Sequence, residues 1–189
     1  MNLDFFITAK KPLSTEVRGK GITNWKDLVL YIQKLPYGRN KSRNDLSLVL
    51  KEGKGSCSSK HAFLKAIADE HEIESVKLVL AMYRMNATNT NIGDTLKDSA
   101  VRYIPEAHCY LKIDGERIDI TSIGASFDKI EKTLLSEELI RPDQVATFKV
   151  NYHQEYLKDW IEKEEINASF NEIWELRERC IQYLSENNT

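Results

Sequence analysis

Gly53-Lys54-Gly55-Ser56-Cys57-Ser58-Ser59-Lys60-His61 runs directly into Ala62-Phe63-Leu64-Lys65-Ala66-Ile67-Ala68. Two glycines allow a sharp turn and a close backbone approach. Ser56 is a natural N-cap, which puts Cys57 in the first turn of the helix that follows. From Ala62 to Ala68 only Lys65 is polar. A helix apolar nearly all round is a buried helix, so this one is expected to run through the middle of the domain. The free N–H groups and the dipole of a helix start favour negative charge, so a thiolate at Cys57 forms more easily there. Free cysteine is also among the most buried residue types, so Cys57 alone does not make a site. A base elsewhere in the chain decides between the two readings.

The surroundings are those of one globular domain. The chain has 189 residues and ordinary apolar and charged fractions, so a single domain over 1–189 is expected. Its longest apolar run, Leu78 to Tyr83, is too short to span a bilayer. The start, Met1-Asn2-Leu3-Asp4-Phe5-Phe6-Ile7, shows no secretory signal, and three cysteines are an odd number. A cytoplasmic protein with free thiols is therefore expected. Net charge is -2, but residues 1–60 hold 12 Lys+Arg against 5 Asp+Glu, and the rest 15 against 24. The basic residues are scattered without a nucleic-acid motif, so neither nucleic acid nor membrane is an expected partner.

Periodicity sketches the other elements. Leu3–Ile7 reads as a short strand and 10–21, with Pro12 and two glycines, as a loop. Trp25, Leu28, Val29, Ile32 and Leu35 mark a one-faced helix capped at Thr23 or Asn24. Residues 37–44 read as a flexible stretch and 45–51 as a short helix. A strand follows over 75–85, then a long polar connection over 86–106 with a short helix at 94–100. Beyond the hairpin described next, 127–139 reads as a helix, 145–152 as a strand, and 153–165 and 168–185 as two closing helices.

The base lies in His108-Cys109-Tyr110-Leu111-Lys112-Ile113-Asp114-Gly115-Glu116-Arg117-Ile118-Asp119-Ile120-Thr121. Asp-Gly between alternating residues signals a two-residue type I′ hairpin. That turn sets Ile113 against Glu116, Leu111 against Ile118, Cys109 against Ile120 and Tyr110 against Asp119. One face then gathers Cys109, Leu111, Ile113, Ile118 and Ile120. The other gathers His108, Tyr110, Lys112, Arg117, Asp119 and Thr121. His108 and Asp119 fall as diagonal neighbours on the polar face, within reach of each other. A carboxylate on one ring nitrogen leaves the second nitrogen as a base. Such a pair is also an ordinary cross-strand contact; the cysteine helix upstream tips the reading to catalysis. Nucleophile, base and orienter are the parts of covalent acyl chemistry.

Gly-x-Cys at a helix start, then His on a strand, then Asp on the next, resembles the transglutaminase-like branch of the papain-like cysteine enzymes, over about 23–125. Tyr110 stands two residues after the histidine, where the family often has an aromatic; Ile120-Thr121 follows the aspartate, where the family often has proline. The resemblance implies an α+β fold, with the nucleophile helix packed on an antiparallel sheet and a C-terminal helical extension over about 126–189. It implies a Cys57, His108, Asp119 triad. It also implies an oxyanion donor from an upstream segment, for which Tyr37 and Asn40 are the candidates. The implied activity is acyl transfer on amide bonds of a peptide or protein substrate, most simply hydrolysis. No cofactor or metal is expected: the chain has no EF-hand-type loop.

Two rival readings come from other classes. Cys57, His61, His108 and Cys109 form a candidate Cys2His2 zinc set, but adjacent strand residues point to opposite faces and the spacing matches no standard site. A binding module on a catalytically silent scaffold of the same fold is the other. Of the remaining residues, His61 reads as a supporting or helix-surface group, and His71 and His153 as surface. Cys109 reads as core, and Cys180 as packing with Trp174 and Leu184.

Overall fold

A computed structural model describes residues 3–187; residues 1, 2, 188 and 189 of the single-domain span lie outside it. The chain is α+β. In order it forms α1 (Pro12–Gly19), α2 (Trp25–Lys34), α3 (Leu48–Lys51), α4 (Cys57–Glu70), β1 (Val76–Met85), β2 (Ile104–Ile113) and β3 (Glu116–Ile118). Then come α5 (Asp128–Glu131), β4 (Leu134–Ile140), a 3-10 turn (Pro142–Val145), α6 (Thr147–Lys163) and α7 (Phe170–Asn187). The four strands make one antiparallel sheet in the order β3-β2-β1-β4.

Strand alternation gives the sheet two apolar faces and thus two cores. Leu78, Leu80 and Met82 of β1, with Ala107, Cys109 and Leu111 of β2, face α4 and, beyond it, Trp25, Leu28 and Ile32 of α2. Val79, Ala81, Tyr83 and Tyr110 face the opposite way, against Leu157 and Trp160 of α6 and Ile173, Leu176 and Ile181 of α7. Cys109 lies in the first core and Cys180 in the second, where Trp174 and Leu184 also pack. The strand read over 75–85 and the helices starting at 25 and 57 stand where the periodicity put them; the hairpin read over 108–121 begins earlier, at Ile104 within the stretch read as a connection, and its second strand ends at Ile118.

Other elements depart from that reading. The polar stretch before Gly21 holds α1 rather than a loop. Pro12 sits at the helix start, where its missing N–H costs nothing. The Glu70 carboxylate of α4 accepts from the N–H groups of Leu13 at 3.2 Å and Ser14 at 2.8 Å, so the cap comes from a distant segment. Leu3–Ile7 makes only an isolated bridge, Phe6 to Asn24. The helix read over 45–51 is confined to α3, and 94–100 forms turns, not a helix. The helix read over 127–139 is the short α5 followed by β4. Leu and Glu are helix formers, but the open edge of β1 captures them as a strand. The strand read over 145–152 is the start of α6: His153, Leu157 and Trp160 are buried at helical spacing.

The hairpin turn has φ of 49° at Asp114 and 86° at Gly115, as a type I′ turn requires. Leu111 pairs with Ile118 as read, but pairing stops there. Beyond Ile118 the partners come from α4. Ile120 donates its N–H to His61 Nε2 at 2.9 Å, and the Thr121 carbonyl accepts from Lys60 Nζ at 2.7 Å. Lys60, fully buried, also donates to the Leu35 carbonyl at 2.5 Å, closing the end of α2. Removing that ammonium strands buried carbonyls, which cost about 1–3 kcal/mol each when unsatisfied. Lys60→Met is therefore expected to lower unfolding stability by about 2–4 kcal/mol. Denaturant titration would read this as a lower midpoint at unchanged slope.

Candidate active site

Cys57 opens α4. Ser56 accepts from the Ser59 N–H and the Ser59 hydroxyl bonds back to the Ser56 N–H, a reciprocal cap that fixes the first turn. Gly55 is required just before it. A Cβ there would lie 2.8 Å from Lys60 and 2.9 Å from Ser59. Its N–H and carbonyl bond Pro36 and Gly38, which brings the Tyr37 segment alongside the cysteine.

β3 ends early, so β2–β3 pairing stops at Leu111, and the Cys57 side chain lies near enough to β2 for the Cys109 N–H to favour its thiolate. His108, on the opposite face of β2 from Cys109, lines the same cavity as Cys57 and favours its thiolate. Its Nε2 bonds Asp119 Oδ2 at 2.8 Å, leaving Nδ1 for the thiol. Asp119 is held in turn by Thr121, whose N–H (2.9 Å) and hydroxyl (2.6 Å) both donate to Oδ1. The structure thus brings together Cys57, His108 and Asp119.

Three charges cooperate in this site. Burial pushes the Cys57 thiol up, but Lys149 and then His108, with the Cys109 N–H, overturn that and bring it down to about 6. Burial opposes charge on His108, yet Asp119 and the Cys57 thiolate hold its pKa well above the ordinary imidazole value. Burial also opposes charge on Asp119, and His108 overrides it, holding the carboxyl well below the usual range. All three shifts run in the direction that favours thiolate, imidazolium and carboxylate. Lys149, on α6, was hidden from sequence reading because its segment read as a strand. It donates to Ser58 Oγ at 2.6 Å.

His61 is buried, with no exposed surface, rather than on the helix surface. Its Nδ1 faces the Cys57 carbonyl at 2.7 Å and its Nε2 the Ile120 N–H at 2.9 Å. A carbonyl and an N–H fix the tautomer with the proton on Nδ1. Burial takes its pKa down to about 4, so it is neutral. With both ring nitrogens committed, His61 is not available to a metal. Among the described residues no group of three or more His, Cys, Asp or Glu is arranged to hold one.

Two cavities meet at the cysteine. The smaller, about 70 Å3, is lined by Tyr37, Arg43, Lys149 and Arg177 among others. The larger, about 230 Å3, holds His108, Asp119, Asn89–Asn91 and the 122–126 loop. Of the long connection read over 86–106, residues 89–91 therefore border the site. Tyr37 lines both cavities. Burial keeps its phenol protonated, so it is a hydroxyl donor beside the sulfur. Asn40 lines the smaller cavity, but its amide donates to Glu52 at 3.0 Å and to the Lys54 carbonyl at 3.0 Å, so it shapes the loop.

His153 is buried, contrary to the surface reading. It bonds the Pro105 carbonyl at 2.8 Å and packs on Trp174. His71 is half-buried and accepts the N–H groups of Thr8 and Ala9. Next to His153, Glu106 and Arg177 form a buried two-pronged pair.

Alkylation of Cys57 by iodoacetamide is expected to rise through about pH 6, well below the ordinary thiol range. A lowered pKa means the thiolate, the reactive form, is fully present at neutral pH. Lys149→Met removes the largest stabilising charge and moves the rise to higher pH. Rates against pH, with the label located by mass spectrometry, check both.

Comparison of the chain with protein-family models, with curated proteins and with solved structures finds no match. Function is therefore inferred from the site itself.

Proposed function

We propose that the chain is a cysteine-dependent acyl-transfer enzyme acting on amide bonds, with a transglutaminase-like, papain-type arrangement of nucleophile helix and sheet. Hydrolysis of a peptide or protein substrate is its simplest activity. The observation that carries this reading is a single cavity lined by Cys57, His108 and Asp119, with His108 hydrogen-bonded to Asp119 at 2.8 Å and surroundings that favour thiolate and imidazolium.

In this mechanism the Cys57 thiolate attacks the amide carbonyl carbon. The developing oxyanion meets the free N–H groups of the first turn of α4 and the Tyr37 hydroxyl, each worth about 3–4 kcal/mol when well placed. His108 gives its Nδ1 proton to the leaving nitrogen as the C–N bond breaks. Water, deprotonated by the same nitrogen, then splits the thioester. Asp119 holds the ring and its charge through both steps. Nothing in the cycle calls on a group outside the chain except water. Such a thiolate suits a reducing, cytoplasmic setting, and all three cysteines are free.

Cys57→Ala is expected to abolish labelling by an amide-based, thiol-directed probe and all amide turnover. Equal labelling of that variant and the parent would overturn the mechanism. Asp119→Asn keeps the shape but loses the charge that supports the imidazolium, so turnover should fall by roughly 10³–10⁴-fold. Single-turnover kinetics on a peptide-amide library, with circular dichroism to verify folding, measures this loss.

A further inference from the structure

The smaller cavity carries charge that the proposed mechanism does not use. Four cations line it, Arg39, Arg43, Lys149 and Arg177, against one carboxylate, Glu106. Glu106 takes Arg177, and Glu178, just outside, takes Arg39 through two bonds of 2.8 and 3.0 Å. Lys149 donates only to the neutral Ser58 hydroxyl, and Arg43 makes no ion pair among the described residues. Two positive charges thus face a space of about 70 Å3 whose one other anion is the Cys57 thiolate. Acylation consumes that anion and leaves the cations facing each other. Gathered like charges raise the local potential and favour an anionic ligand.

We propose that this cavity is a carboxylate subsite, and that the substrate amide carries a carboxylate on the acyl side of the bond attacked, recognised by Lys149 and Arg43. This rests on the acyl-transfer reading above and names its substrate class. The side follows from the layout. His108 opens onto the larger cavity, so the leaving amine departs there with its proton. The acyl portion is left on the opposite side of the sulfur, in the smaller cavity. A lysine point charge beside an arginine fork suits a planar carboxylate. In bond terms, sulfur gains the acyl carbon, the C–N bond breaks, and the nitrogen takes the His108 proton. Water then releases an acid with two carboxyl groups and restores the thiolate and the imidazolium. Water is the only co-reactant.

Iodoacetate and iodoacetamide, of similar shape and different charge, test the subsite. Their rate ratio on Cys57 is compared with that on free cysteine at the same pH and salt. Both reagents read the same thiolate, so any change in thiol pKa cancels in the ratio. The ratio is expected to favour iodoacetate about tenfold more than it does on free cysteine, as one charge-assisted contact supplies. Arg43→Gln and Lys149→Gln should each pull it back toward the free value, and Lys97→Gln, remote and exposed, should not. A parent ratio equal to that of free cysteine overturns the subsite and leaves the thiol mechanism standing. If neither reagent labels Cys57, the acyl-transfer reading falls and glutarate judges the subsite. A rise in the Tm of Cys57→Ala that Arg43→Gln abolishes upholds it, and no rise overturns it.

Discussion

One neutral imidazole, His61, ties the first residue of the central helix to the strand end that carries Asp119. It gives its proton to the Cys57 carbonyl and takes one from the Ile120 N–H. A buried unpaired backbone group costs about 1–3 kcal/mol, so neither tie can be left open cheaply. The ring therefore sets the spacing between Cys57 and Asp119, and its Nε2 also lies 3.7 Å from Asp119 Oδ1. Lys60, one residue earlier, does the same for Thr121 and the end of α2. Successive side chains of one helix turn thus replace the strand that ended at Ile118.

Burying this many charges is unfavourable unless each is paired and hydrogen-bonded. The molecule meets that condition by alternation. Asp119, His108, Cys57 and Lys149 run negative, positive, negative, positive, and the first three are each shifted toward the charged form by the one that follows. Glu106, two residues before His108 on β2, and Arg177 repeat the pattern. There burial raises the Glu106 carboxyl and Arg177 overturns it, down to about 2. His61 and His153 are the exceptions, both pushed to about 4 by burial, and both act through backbone bonds instead. Two buried histidines stay neutral and hold the frame, and a third is charged and faces the sulfur.

How much of this was legible in the sequence follows from the range of each interaction. The cap at Ser56, the Asp-Gly turn and the alternation from His108 to Ile118 are local, and they read correctly. His108 and Asp119 also meet as read, although Asp119 lies past the last paired residue of the hairpin. Elements decided by distant partners did not read. α1 is capped by Glu70, fifty-odd residues away, and Leu134–Ile140 is a strand only because β1 has an edge to fill. His61, read as a supporting or helix-surface group, is supporting, and its burial was hidden because the Ile120 N–H it accepts lies on another segment, as do the carbonyls to which Lys60 donates. Lys149 was lost when a helical start rich in Val, Phe and Tyr was taken for a strand.

The position of Lys149 also bears on why the thiol needs more than its histidine. A buried sulfur resists ionising, and a single imidazolium must share its charge with Asp119. A carboxylate close to the ring strengthens it as a base but spends part of its pull on the sulfur. A second cation from an independent element relieves that conflict. It stabilises the thiolate without weakening the hold of Asp119 on the ring. α6 supplies it through the Ser58 hydroxyl, at the same helix turn that presents the cysteine. The C-terminal helices, which pack on the far core through Leu157, Ile173 and Ile181, are thereby part of the electrostatics of the site as well as of the fold. A chain cut before α6 would lose the second core and the second cation together, so in this architecture folding of that extension and activation of the thiol are coupled.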